Sequence, residues 1–218
     1  MKIDKLKDFI LHNLKWIVLF GCVVIFLSFV EDVFKKEIMN GDVIGHYLVS
    51  KYLISDFMTP IMSCITWFGG PIWIVVLTVL LFVFIKEKKI CVAVLTNLVT
   101  ITVLNQVFKF ILQRPRPEGY RLIAESGYSF PSGHSMVSMA FYGFLIYLIY
   151  YYFKNKHLKW TLITILGILI VLIGLSRIYL GVHYTSDVCA GFVFSLAYLI
   201  LYISVINKIG VMIGNEEY

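Results

Sequence analysis

Charge is scarce in this sequence. Only 15% of its 218 residues are Asp, Glu, Lys or Arg, and 60% are hydrophobic. A soluble globular domain is about half apolar and about a quarter charged. The departure in both directions excludes an ordinary soluble domain and points to a chain solvated by a bilayer. Cysteine is also sparse. The four residues Cys22, Cys64, Cys91 and Cys189 lie far apart in or beside apolar runs, with no CxxC pair. That spacing offers neither a disulfide framework nor a zinc cage, and small apolar side chains are the plainer reading. No internal repeat or low-complexity tract is present. The net charge of +6 sits in short clusters between apolar runs rather than on one continuous face, which argues against nucleic acid as a partner.

Long apolar runs are abundant. A helix needs about 20 apolar residues to cross the hydrocarbon layer. Six spans are expected, at 14–34, 58–85, 90–112, 134–153, 160–178 and 184–206. Gly69-Gly70-Pro71 interrupts the second, so residues 58–68 are expected to form a shallow helix leading into a span from Pro71. The first run follows Lys2, Lys5, Lys7 and Lys15 and ends at Glu31-Asp32 with no small-x-small cleavage site; it reads as a retained span rather than a leader. The segment from Lys35 to Phe57 reads either as an amphipathic helix in the membrane interface or as a plain connection. The tail 215–218 is expected to be mobile. The fold class expected for residues 1–218 is therefore a single all-α membrane domain of six transmembrane helices plus an interfacial helix.

Basic residues set orientation. The N-terminal lysines, Lys86 to Lys89, and the loop with Lys154, Lys156 and Lys159 fall on one side. Both termini are accordingly expected in the cytoplasm, with the loops 35–57, 113–133 and 179–183 on the outer face.

Three polar clusters occupy those outer ends. Lys109 precedes Arg116-Pro117 by seven residues, with Pro115 and Pro117 ending the third span. Taken alone, such cations snorkel to lipid headgroups. Pro131-Ser132-Gly133-His134 opens the fourth span. Ser132 can cap the helix, Gly133 admits an anion close to the backbone, and free N–H groups at a helix start already favour anions. His134 could deliver a proton there; the plainer reading is a capped helix start with an interfacial histidine. Ser176-Arg177, His183 and Asp187 form the third cluster. Residues 183 and 187 are four apart and can meet on one helix face, where a carboxylate orients an imidazole and leaves its other nitrogen free to attack. A buried structural pair is the alternative. Together, three cations, a helix N-terminus and two histidines supply what phosphoryl transfer needs: charge neutralisation, a nucleophile and an acid. A zinc site built on His134, His183 and Asp187 with Glu118 or Glu125 would face repulsion from Lys109, Arg116 and Arg177, so no metal or other cofactor is expected.

The motifs K-x6-R-P (109–117), P-S-G-H (131–134) and S-R-x5-H-x3-D (176–187) together resemble the type-2 phosphatidic acid phosphatase superfamily. The resemblance implies His183 as the nucleophile that forms a phosphohistidine, Asp187 as its orienting carboxylate, and His134 as the acid for the leaving group. It implies Lys109, Arg116, Ser132, Gly133 and Arg177 as phosphate binders. The implied activity is hydrolysis of a lipid monophosphate or diphosphate, such as phosphatidylglycerophosphate, phosphatidic acid or undecaprenyl diphosphate. A headgroup phosphotransferase and a non-enzymatic lipid carrier are the alternatives.

Overall fold

The computed structural model describes residues 2–36 and 39–210, with side chains from Asn13 onward; the tail 215–218 lies outside the described residues. The chain order is α1 (Lys2–Phe34), α2 (Asn40–Leu48), a wide turn over Val49–Leu53, α3 (Met58–Trp67), α4 (Pro71–Phe84), α5 (Lys88–Leu112), α6 (Gly133–Tyr152), α7 (Lys156–Tyr179) and α8 (Thr185–Lys208). Five of these helices are long and apolar enough to cross a membrane, and α3 with α4 makes a sixth span bent by 47°. The expected spans agree with these helices to within four residues at each end, except that α1 begins twelve residues before the expected start at 14.

Helix α6 is the central column, packed by α5, α7 and α8, while α1 lies on α8 and α3 on α7. The main core joins Val94, Phe141, Phe144, Ile173 and Leu199. A second, aromatic cluster ties α1 to α5 and α8: the Phe26 ring meets Phe108 edge-on at 5.1 Å and Phe194 at 4.9 Å. Apolar contacts give little net drive in lipid, so buried hydrogen bonds fix the register between helices. The Asn97 amide donates to the Ala140 carbonyl at 2.9 Å, and the Ser195 hydroxyl to the Met136 carbonyl at 2.9 Å.

Gly69-Gly70-Pro71 breaks the second span as expected, and the structure supplies the reason that it is tolerated. A break frees backbone groups that lipid cannot satisfy. Here the Tyr142 hydroxyl donates to the Phe68 carbonyl at 2.6 Å and accepts from Trp73 Nε1 at 3.1 Å. A β-carbon on Gly69 would lie 2.6 Å from Ile173 Cγ2 and 3.2 Å from His134 Cδ2. The elbow is thus pressed against α6 and α7, beside one of the two motif histidines.

Of the two readings of residues 35–57, the helical one holds for Asn40–Leu48. Its polarity suits the interface: Asp42 is buried against α8 while Val43, Ile44, Tyr47 and Leu48 are exposed. Such a helix presents apolar side chains outward and is anchored inward by a carboxylate. The cysteines divide: all four are free, Cys22 and Cys91 are buried, and Cys64 and Cys189 lie on the surface rather than in the core.

At Gly191 a β-carbon would stand 3.1 Å from Ser135 Cβ and 3.2 Å from the Ser132 carbonyl oxygen, whereas at Gly167 it would meet nothing within 4 Å. Gly191→Leu is therefore expected to cost about 1–3 kcal/mol through overpacking and to lower the unfolding midpoint in detergent by several degrees. Gly167→Leu should leave it within about a degree. Thermal unfolding of the two variants side by side checks this.

Candidate active site

The three motifs converge because four helix ends meet on one side of the bundle: the last turn of α5, the first turns of α6 and α8, and the last turn of α7. Each end is set by local chemistry. Helix α5 stops at Gln113, whose φ is 45°, just before Pro115 and Pro117 forbid its continuation. Helix α6 starts with Ser132 as N-cap, its hydroxyl accepting from the Ser135 N–H at 3.5 Å and the Ser135 hydroxyl at 3.0 Å. The Ser132 N–H donates to the Asp187 carbonyl at 3.1 Å. Buried Asn105 of α5 holds the same turn by donating to the Pro131 carbonyl at 3.1 Å, and its Oδ1 lies 3.1 Å from where a Gly133 β-carbon would stand. Any larger residue at Gly133 would push on this clamp.

His183 and Asp187 do meet, but not along a helix face. Helix α8 begins at Thr185, so His183 lies in the preceding turn and Asp187 in the first helical turn. Asp187 Oδ2 accepts from the Tyr184 N–H at 2.9 Å, closing the helix start, and lies 3.3 Å from His183 Nδ1. The turn itself needs Gly181: its φ is 71°, and a β-carbon there would sit 2.0 Å from the Tyr120 carbonyl oxygen. His183 Nε2 stands 3.2 Å from Arg116 Nη1. A guanidinium only donates, so Nε2 carries the lone pair and Nδ1 the proton shared with Asp187. Both residues are buried. Burial pushes the His183 imidazole down to about 4, against the opposing pull of Asp187.

Arg116 is largely spent on the loop around it. Its Nε donates to the Gly127 carbonyl at 3.0 Å, Nη1 to that of Val182 at 2.8 Å, and Nη2 to that of Ser126 at 2.9 Å. The remaining Nη2 proton looks toward Glu125, 3.9 Å away. Arg177 donates from Nη1 to Thr66 Oγ1 at 2.8 Å and from Nη2 to Glu125, while its buried Nε has no partner among the described residues. Lys109 donates to the Tyr128 carbonyl at 2.9 Å. His134 stands close enough to Lys109, Arg116, Arg177 and His183 to feel the charge of each, and its Nε2 is 4.0 Å from where a Gly70 β-carbon would lie. All eight singled-out residues therefore line or support one place.

Four further residues belong there that the motifs do not contain. Glu125 lies among the cations, touching Arg177 and acting on Arg116, Lys109 and His183 through space. Burial pushes its carboxyl up, but Arg177 and Arg116 outweigh this and hold it below the usual carboxylate range. Thr66 comes from the broken span. Arg114 and Asp42 form an ion pair at 2.8 Å behind Asp187. Among the described residues, no group of three or more His, Cys, Asp or Glu side chains gathers as metal ligands.

A polytopic helical bundle with a cluster of cations and histidines at one end is thus the class of protein that fold and site define. The sequence pattern of the PAP2 superfamily matches residues 89–210, and the chain belongs to that superfamily. It is 43% identical over 102 residues to phosphatidylglycerophosphatase B of Bacillus subtilis (strain 168), covering 46% of this chain and 49% of that protein. It is 34% identical over 127 residues to an undecaprenyl-diphosphatase of Sulfolobus acidocaldarius, covering 55% of this chain and 56% of that protein. The matched segments thus span about half the length of these curated relatives. The crystal structure of a transmembrane PAP2-type phosphatidylglycerolphosphate phosphatase from Bacillus subtilis superposes with a TM-score of 0.75 at 29% identity, over 86% of this chain and 96% of that one. LpxE of Aquifex aeolicus shares the fold, with a TM-score of 0.60 at 23% identity over 73% and 92% of the two chains.

The depressed His183 value has a thermodynamic consequence. Above pH 6.5 the imidazole is neutral in both folded and unfolded chains and contributes nothing to pH dependence. Between 6.5 and about 4 only the unfolded chain takes the proton, so stability falls as pH falls, by up to about 3 kcal/mol. Wild type is expected to lose unfolding midpoint across this window more steeply than His183→Gln, measured by thermal unfolding at constant ionic strength.

Proposed function

We propose that the protein is a membrane phosphatase that hydrolyses a lipid monophosphate or diphosphate through a phosphohistidine on His183. The observation that carries this reading is the Arg116–His183–Asp187 line, which leaves a neutral imidazole with its Nε2 lone pair inside a ring of cations. Lys109, the second Nη2 proton of Arg116 and the Nε of Arg177, which has no partner among the described residues, are donors without a full complement of acceptors. They suit the equatorial oxygens of a phosphoryl group, whose charge they would neutralise. The first-turn amides of α6, beginning at Gly133 behind the Ser132 cap, add a further anion cradle.

In the first step His183 Nε2 attacks phosphorus. The P–N bond forms as the bond to the lipid oxygen breaks, and His134 gives that oxygen its proton. Asp187 stabilises the positive charge that grows on the imidazole. In the second step His134 takes a proton from water, the water oxygen attacks phosphorus, and the P–N bond breaks to release inorganic phosphate and neutral His183. The activities for which two relatives are named, phosphatidylglycerophosphatase and undecaprenyl-diphosphatase, support a lipid phosphate as substrate. The distribution of basic residues supports an extracytoplasmic site with cytoplasmic termini: Lys86, Lys88, Lys89, Lys154, Lys156 and Lys159 all lie at the bundle end away from the motifs.

Phosphate release from phosphatidylglycerophosphate and undecaprenyl diphosphate in detergent, with EDTA present, tests the reading. Wild type is expected to release phosphate and His183→Ala to lose at least about 1,000-fold in kcat. Headgroup transfer to a second lipid without free phosphate would favour the transferase, and lipid binding with no turnover would favour the carrier.

Glu125 makes a separate prediction. Its carboxylate stands among the same cations, so an incoming phosphate displaces it. Glu125→Gln is expected to lower the inorganic phosphate concentration for half-inhibition by about 3- to 10-fold, read from inhibition curves against wild type.

A further inference from the structure

The ion pair behind the histidine–aspartate pair joins two parts of the chain that no motif connects. Arg114 Nη1 donates to Asp187 Oδ1 at 2.6 Å, and its Nη2 to Asp42 Oδ2 at 2.8 Å. Ser186 closes the ring: its hydroxyl lies 2.7 Å from Arg114 Nη1 and 2.8 Å from Asp42 Oδ2, and its N–H donates to Asp42 Oδ1 at 2.8 Å. All four side chains are buried, and the guanidinium also lies 4.2 Å from the Tyr184 ring centre. Two carboxylates and one guanidinium buried together are costly to assemble, and a neutral apolar filling of the same space would serve stability as well. Their arrangement therefore calls for a role beyond cohesion.

We propose that Asp42 and Arg114 are positioning residues that set how strongly Asp187 acts on His183, a role that rests on the phosphatase reading above. Asp187 uses its two oxygens for different partners. Oδ2 faces His183 Nδ1 and the Tyr184 amide, and Oδ1 is gripped by Arg114. The grip fixes the plane of the carboxylate and so the direction in which Oδ2 meets the imidazole. A lone guanidinium, however, would also draw the negative charge of Asp187 away from the histidine. Asp42 offsets this by taking the other half of the guanidinium fork. The cluster of Asp42, Arg114 and Asp187 then keeps one net negative charge for the imidazole as it becomes positive on phosphorylation. Helix α2, whose apolar side chains face outward, thereby contributes to the site through its single buried carboxylate.

Asp42→Asn keeps the shape of the side chain and can still accept from the Ser186 amide, but it removes the charge. Arg114→Lys keeps the charge and loses the fork that reaches both carboxylates. Each is expected to lower kcat on the order of 10- to 100-fold. KM and the half-inhibiting concentration of inorganic phosphate should stay within about twofold, because the phosphate-binding cations are untouched. Trapping the phosphoenzyme by alkaline quench should show slower formation in both variants. Ser186→Ala, a smaller change, guards against a variant that fails to fold and is expected to lose kcat by about 3- to 10-fold, again with KM kept. Folded variants with wild-type kcat, or with raised KM at wild-type kcat, overturn the positioning role alone. Wild-type protein that neither releases phosphate nor forms an alkali-stable phosphoenzyme overturns the phosphatase reading and the positioning role with it.

Discussion

The carboxylate of Asp187 is the constraint on which the rest of this structure depends. It is fully buried, and an unpaired charge there would be prohibitive. Its requirements are met from three directions: the Tyr184 amide at the start of α8, His183 in the turn before it, and Arg114 at the end of α5. The backbone of the same residue receives the Ser132 N–H, which fixes the start of α6. One residue thus holds three helix ends in register, and the Asp42 partner of Arg114 extends the grip to α2. The bundle end is ordered by electrostatics, while the rest is filled by aromatic and aliphatic packing.

The broken second span serves the same end of the molecule. A continuous helix would pass His134 at a distance set by its side chains. The elbow at Gly69-Gly70 lies so near that a β-carbon on Gly69 would stand 3.0 Å from Ser138 Oγ and 3.2 Å from His134 Cδ2, and Thr66, one turn earlier, receives Arg177. The freed Phe68 carbonyl is satisfied by Tyr142. A sequence interruption that looks like a weakness in a membrane span is therefore the means by which α3 becomes a wall of the site.

Much of the site was legible because its residue types are so unlike their surroundings. In a chain with few charges, Lys109, Arg116, Arg177, His134, His183 and Asp187 stand out, and their position at span ends follows from counting apolar residues. The residues that escaped are of two kinds. Thr66 and Asp42 sit far from the motifs in sequence, and only packing brings them near. Glu125, which the sequence offered only as a possible zinc ligand, and Arg114 lie in the loop 113–132, where several charges of both signs compete and no periodicity ranks them. The anchoring of α2 was hidden for a related reason: a pattern shows that one face is apolar, but not which distant groups its buried carboxylate meets.

The sequence alone determined the spans, the breaks and which polar groups lie at the span ends of one side, because hydrophobic length, proline and glycine placement, and residue chemistry act locally along the chain. Tertiary structure alone decided which groups face one another. It placed His183 in a turn rather than on α8, spent most of Arg116 on loop carbonyls, set Glu125 among the cations and linked Asp42 to Asp187 through Arg114. The physical reason is that hydrogen bonds and ion pairs depend on distances of a few tenths of an ångström between distant segments, and those distances exist only once the helices have packed.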